Sequence, residues 1–541
     1  MKSTKKLLAL LLSAILLLSL LPAAFATGVG EGESAGGTTE VSKEKFTLTI
    51  DGTSIGRKYE IYQIFTGALH TEQETGSTTE TTYLSDLKYG DAWTAAGKKG
   101  TAVSDEDITD FGKDAPGHWK RLNTKNGGAP KAHGDAPVEC TTGTSVAFTN
   151  LDAGYYIVIE VTESNKIEAG ETYSSAIVQV VKNTTANTKP GTASSYKKVK
   201  DINDSQGTTY TDWQDSADYD IGDDVPFQLT AVVGSDFALY PAGRKYSLTF
   251  HDEQSKGLTF KPDSVKVYLN TVSDTNPIPS MHYKVKTTGI ADKCTFEIHF
   301  DDLKAITGVT AGSKIIVEYT SALNTSAVIG STGNPNKMHI TFSNNSNSNT
   351  DEEDGKTPDD EVIVFTYQFE AWKGNENRDP LEGADFELFK QDASGKYTIS
   401  KGKITAEQAV GSDHFASNKS FVYRFTGLDD GNYKLVETKA PSGYNTAEDF
   451  YFTISAQHDA DSPSPKLTVL TFKYTDKDGI EQDMGATPSN GFATMLIQNF
   501  RGNTLPSTGG MGTTVFYVLG SILAVGAAIL LVSKKRMNGA R

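Results

Sequence analysis

Cysteine is nearly missing. Cys140 and Cys294 are the only two in 541 residues, and they fall in segments read below as separate domains. No disulfide framework is therefore available to harden an exported chain of this size. Positive charge is also short: 51 Lys and Arg face 68 Asp and Glu, a formal net charge of −17. That balance argues against nucleic acid or anionic lipid as partner. Enzyme signatures are thin as well. There is no H-E-x-x-H, no Cys–His pairing in the sequence and no metal-spaced cluster among nine scattered histidines, so neither a metal nor a cofactor is expected. A tethered hydrolase would have to rest on a carboxylate pair, which 68 acids cannot be read to contain or lack.

Both termini are specialised. Lys2, Lys5 and Lys6 precede an apolar stretch from Leu7 to Leu21 and then Ala24-Phe25-Ala26, the order of a secretory signal peptide cut after residue 26. At the other end, Leu505-Pro506-Ser507-Thr508-Gly509 is followed by an apolar run from Val515 to Val532 and by Ser533-Lys534-Lys535-Arg536. The run is long enough for one transmembrane helix, and the basic cluster holds its end on the cytoplasmic side. Residues 1–26 and 509–541 hold seven basic residues and no acid, so the part between them is more acidic still.

Between the ends, short alternating segments separated by Gly, Asn and Asp turns predict tandem β-sandwiches, an all-β fold of immunoglobulin-like type. Polar stretches at Asn183–Ser195 and Ser343–Asp360 divide the chain. The expected domains are 27–183, 195–360 and 361–503, flanked by the signal peptide (1–26) and the sorting region (505–541). A repeat links the first and third domains. Phe148-Thr149-Asn150-Leu151-Asp152-Ala153-Gly154-Tyr155 leads to Glu160, and Phe425-Thr426-Gly427-Leu428-Asp429-Asp430-Gly431-Asn432-Tyr433 leads to Glu437.

Alternation exposes charges where a core should be. Ile363, Phe365, Tyr367, Phe369 and Ala371 share a face with Lys373; Tyr433 and Leu435 with Glu437; Met495 and Ile497 with Asn499. Burial drives an amine and a carboxyl toward their neutral forms. A neutral amine is a nucleophile, and a protonated acid can polarise an Asn carboxamide, so the set predicts a Lys373–Asn499 isopeptide bond with Glu437 as catalyst. In the middle domain Tyr246, Leu248 and Phe250 share a face with Asp252, and Met338, Ile340 and Phe342 with Asn344. Lys197 shares the parity of Val199, which gives a second expected triad of Lys197, Asp252 and Asn344, with Lys198 and Asn336 as the fallbacks. The first domain offers Glu160 and Asn183 but no lysine on an apolar face, and no bond is expected there.

These residues carry a resemblance. The tripartite C-terminus resembles the LPxTG sorting signal of Gram-positive wall proteins, in which a sortase cysteine attacks the bond corresponding to Thr508–Gly509 and passes Thr508 to an amine, with Leu505 and Pro506 as recognition residues. The segment Tyr433-Lys434-Leu435-Val436-Glu437-Thr438-Lys439-Ala440-Pro441-Ser442-Gly443-Tyr444 resembles the E-box of Gram-positive pilins within a CnaB-like domain. The middle segment, from Lys197-Lys198-Val199 onward, resembles the isopeptide-forming second domain of fimbrial backbone pilins. The resemblance implies a secreted, cell-wall-anchored pilus subunit of CnaA/CnaB-like sandwiches, held in the membrane as precursor. Its partners would be sortases, identical subunits in a head-to-tail polymer, peptidoglycan and host surface molecules. It also implies an acceptor lysine near the end of the first domain. Lys182 stands there, although Val180-Val181 replaces the usual aromatic-proline before it. A monomeric wall-anchored adhesin is the alternative.

Overall fold

The computed structural model describes residues 44–501, except 74–79, 114–117, 188–190, 207–211, 242, 276, 349–354 and 411–420. The expected signal peptide, sorting motif and membrane run lie outside the described residues. Among those described, no helix is long and apolar enough to cross a membrane.

Three β-sandwiches follow one another, each around its own apolar core. Strict alternation creates them: Phe46, Leu48 and Ile50 point inward from one strand while their neighbours are half-exposed, and Asn334–Phe342 alternates in the same way. In the first sandwich, Phe46–Asp51 lies between Ser145–Leu151 and the last strand, Thr184–Asn187, and runs parallel to the latter. The facing sheet is built around Lys58–Gln73 and Gly154–Glu160. The third sandwich repeats this plan. Its first strand, Tyr367–Gly374, is antiparallel to Phe421–Leu428 and parallel to the last strand, Phe492–Gln498. A six-stranded sheet containing Gly431–Lys439 faces it. The repeated turn phrases precede equivalent strands, which carry Glu160 and Glu437.

Two helices, Asp105–Lys113 and His118–Asn126, decorate the first domain. The first starts at Ser104-Asp105-Glu106-Asp107, where Ser104 Oγ accepts the Asp107 amide at 3.1 Å, an N-cap.

The middle sandwich closes later than the composition indicated. Asp360–Phe365 pairs with Asn334–Phe342 and sends Val362 and Val364 into the middle core. The backbone from Ile363 to Lys373 is therefore two strands in the sheets of two domains, broken at Thr366, although Ile363 and Phe365 pack with Tyr367 on the third core. The polar stretch before it is not wholly loop, since Gly355–Lys356 pairs with the end of Asn334–Phe342.

The second and third domains are tightly joined. Ile221 donates its amide to Gly427 O at 2.9 Å. A Cβ on Gly427, which has φ +80°, would lie 2.3 Å from the Ile221 side chain, so glycine is required there both for its backbone and for the approach.

Candidate functional site

In the third domain the first strand carries Lys373, the opposite sheet carries Glu437, and Asn499 follows the last strand. All three are buried, Lys373 completely. Parallel pairing places Lys373 beside Ile497, and the Asn499 amide donates to Gly374 O at 3.0 Å, so the backbone delivers the asparagine to the lysine. Lys373 Nζ donates to Asn499 Oδ1 and lies 2.8 Å from Glu437 Oε1. Asn499 Nδ2 donates to Glu437 Oε2 at 2.9 Å and to Asn445 O at 2.8 Å, while the Ala447 amide donates to Glu437 Oε2 at 2.6 Å. Desolvation holds the Lys373 ammonium below its ordinary pKa, and the Phe386 ring lies 5.2 Å from Nζ. The acid thus touches both the amine and the amide that would react.

The middle domain holds a second dry cluster. Lys197 and Asp252 have no exposed surface and are in direct contact. The Tyr319 hydroxyl accepts from Lys197 Nζ and donates to Asp252 Oδ2, both at 2.9 Å. Burial lowers the lysine pKa and raises that of Asp252. The asparagine here is Asn336, fully buried, whose Nδ2 donates to Tyr319 Oη at 2.9 Å. Asp252 Oδ1 and Asn336 Oδ1 make no hydrogen bond. A proton on Asp252 would convert one of these two acceptors into a donor.

Asn344 does not belong to this site, and that expectation is corrected. Parity could not separate the two asparagines, because residues 336 and 344 point to the same face. Register does: Asp252 lies opposite Met338, and Asn336 opposite Gln254, whereas Asn344 falls beyond the other end of the strand. Its carbonyl accepts the Tyr173 amide at 2.9 Å, at the joint with the first domain. Lys198 is outside the core and pairs with Asp215 at 2.6 Å.

In the first domain Glu160 occupies the position equivalent to Glu437, but its partner is Arg57, whose Nη1 donates to Oε1 at 2.6 Å. Guanidinium stays protonated and is no nucleophile. Asn183 is exposed, and its Oδ1 accepts the Thr47 amide at 2.9 Å. Lys182 is exposed at the bend between Ser175–Val180 and Thr184–Asn187.

Sequence reasoning missed several features. Tyr319 gave no signal beyond strand alternation. Buried Lys390 contacts Asp429 at 2.8 Å and Asp220 at 3.2 Å, and these acids raise its pKa, so it is a structural cation and not a third nucleophile. His251, Asp292 and Cys294 meet although the sequence shows no Cys–His pairing; burial and the neighbouring Asp292 push the thiol pKa up, which disfavours the thiolate. Gly52-Thr53-Ser54-Ile55-Gly56 fits the G-x-S-x-G pattern, but it joins two strands, not a strand and a helix, so it makes no nucleophile elbow.

Residues 368–465 match the SpaA family model, described as a prealbumin-like fold domain, and residues 501–539 match the LPXTG cell wall anchor motif. The trypsin-resistant surface T6 protein of Streptococcus pyogenes serotype M6 is 28% identical over 344 residues, 53% of this chain and 60% of that protein. The chain therefore matches less than two thirds of that relative's length. The structure of the T6 backbone pilin of serotype M6 Streptococcus pyogenes aligns over 86% of this chain and 100% of that one, at 18% identity and a TM-score of 0.50. The full-length major pilin SpaD of Corynebacterium diphtheriae aligns over 85% and 98%, at 18% identity and a TM-score of 0.45.

The anchor motif and the surface relative define a cell-wall-anchored surface protein of Gram-positive type, built of tandem β-sandwiches. Within that class, its likeness is to the T6 surface protein in sequence and to the T6 backbone pilin in fold.

Proposed function

We propose that the chain is a structural subunit of a covalently polymerised, wall-anchored pilus, hardened by two self-formed Lys–Asn amide bonds. One observation carries the reading: two consecutive sandwiches each enclose a dry lysine, acid and asparagine in mutual contact or joined through one hydroxyl. Passing the ammonium proton to the carboxylate removes two buried charges at once. The neutral Lys373 Nζ then attacks Asn499 Cγ, and Glu437 donates to Oδ1 and recovers that proton as the intermediate collapses. The Nζ–Cγ bond forms and the Cγ–Nδ2 bond breaks. The neutral amine gives up one proton, Nδ2 gains one and leaves as ammonia, and Glu437 ends with the proton it took from the ammonium. Lys197, Asp252 and Asn336 do the same, with Tyr319 holding the amine, acid and amide together.

The third-domain bond ties the first strand to the segment after the last. The middle bond ties Ser194–Val199 to Asn334–Phe342 in the opposite sheet. Pulling force would cross either sandwich through covalent atoms. Sortase would cleave after Thr508 and transfer it to Lys182 of the next subunit, a head-to-tail joint that builds filaments and not closed rings; the last subunit would pass to peptidoglycan.

Wall extracts run on a denaturing gel test this. Wild type is expected to give a high-mass ladder that Lys182→Ala abolishes. A ladder persisting in the variant removes Lys182 as acceptor. No ladder in wild type removes polymerisation and leaves a monomeric adhesin.

A further inference from the structure

The joint between the second and third domains is crowded with acids. Asp201, Asp204, Asp218 and Asp220 come from the middle domain, Asp429 and Asp430 from the turn entering Gly431–Lys439. The cations contacting them are Lys390, Lys401 and His458. Among the described residues, six carboxyl groups meet three cations in a poorly solvated interface, where burial favours either protonation or a further cation.

The excess concentrates at one point. Carboxylate oxygens of Asp218, Asp429 and Asp430 lie within 4.8 Å of one another. Lys390 binds Asp429 Oδ2 at 2.8 Å, Asp430 donates its amide to Asp429 Oδ1 at 2.7 Å, and Asn203 Nδ2 donates to Asp430. Asp218 is buried, yet its Oδ2 has no hydrogen-bond partner. A separate side chain points to the same spot. The Tyr367 hydroxyl, with no exposed surface, is directed at the Asp218 carboxylate with Asp429 and Asp430 nearby, short of a well-formed hydrogen bond. Asp430 and Asp201 remain half-buried, which leaves a route from solvent.

We propose that Asp218, Asp429, Asp430 and the Tyr367 hydroxyl form a binding site for a calcium-class divalent cation that staples the second domain to the third. All four donors are oxygens, which selects a hard cation over zinc or copper. The ligands come from a middle-domain strand, a third-domain turn and the first third-domain strand, so occupancy fixes the angle between consecutive sandwiches. None of these residues belongs to either Lys–acid–Asn site, and the inference is independent of the pilus reading.

The test uses the mature chain, stripped with EDTA and titrated with CaCl2 by calorimetry, then with Tb3+ as a luminescent calcium mimic. Saturable binding of one Ca2+ is expected, with a rise in melting temperature. Tb3+ emission excited through tyrosine should be quenched by competing Ca2+. Asp218→Asn should weaken Ca2+ binding at least tenfold. Tyr367→Phe, which keeps the packing, should lower the sensitised emission, the remainder coming from Tyr433, whose hydroxyl donates to Asp429 O at 2.7 Å, while retaining Ca2+ binding within about tenfold. If Asp218→Asn fails to fold, the Tyr367→Phe comparison decides alone. No saturable Ca2+ binding, or emission unchanged in Tyr367→Phe, overturns the assignment.

Discussion

Replacing Glu437 by Gln retains the shape of the third-domain site but removes the group able to exchange a proton with Lys373. Without the bond, the denatured chain regains the freedom of a loop spanning 126 residues. The chain-entropy treatment developed for disulfides gives about 5 kcal/mol for a crosslink closing a loop of that length. The buried lysine additionally loses its counter-charge, a further cost of about 3 kcal/mol or more. For a domain of this size each kcal/mol moves the melting temperature by roughly 4 °C, so the crosslink alone is worth about 20 °C. Calorimetry of the mature chain should show the third-domain transition displaced downward by about that amount, with the first-domain transition in place. Trypsin should cut Glu437→Gln in the third domain at temperatures where wild type resists. A variant that melts and digests like wild type would refute the claim that Glu437 drives a covalent bond there.

The two middle-domain asparagines should separate cleanly: Asn336→Ala is expected to raise the intact mass by about 17 Da beyond the substitution, the ammonia no longer released, whereas Asn344→Ala should show the substitution alone. Lys390→Met should leave the crosslink masses unchanged but lower the third-domain melting temperature, because it strands Asp429 and Asp220 without their buried cation; removing one partner of such a cluster costs about 3–5 kcal/mol. Buried Asp236, whose pKa burial pushes up to about 7, favours the folded state when protonated. Its contribution is full below the ordinary aspartate range and is lost as pH rises through 7, with an upper bound of about 4 kcal/mol. Thermal melts from pH 4 to pH 8 should show that decline, and Asp236→Asn should flatten it.

Much of this was legible in residue order because strands report their faces directly. Lys373, Glu437, Asn499, Lys197 and Asp252 each interrupt an apolar alternation, and each is buried where the alternation places it. What alternation cannot supply is register. Asn336 and Asn344 have the same parity, and only the pairing of Asp252 with Met338 distinguishes them. Continuity of an apolar face does not report strand breaks either. The run through Ile363, Phe365 and Tyr367 does face one core, the third, but Thr366 divides its backbone into two strands, and Val362 and Val364 on the other face enter the middle core. Arg57 and Tyr319 escaped notice for a similar reason, since their roles arise from partners more than 60 residues away. The acidic joint was equally hidden, being divided between the phrases around Asp218 and Asp429, more than 200 residues apart.

Intact mass of the purified mature chain tests the central claim most directly. Two completed bonds predict a mass about 34 Da below that of the uncrosslinked sequence, with two branched peptides after digestion, one joining Lys373 to Asn499 and one joining Lys197 to Asn336. An unshifted mass, with all four side chains recovered in linear peptides, would contradict it.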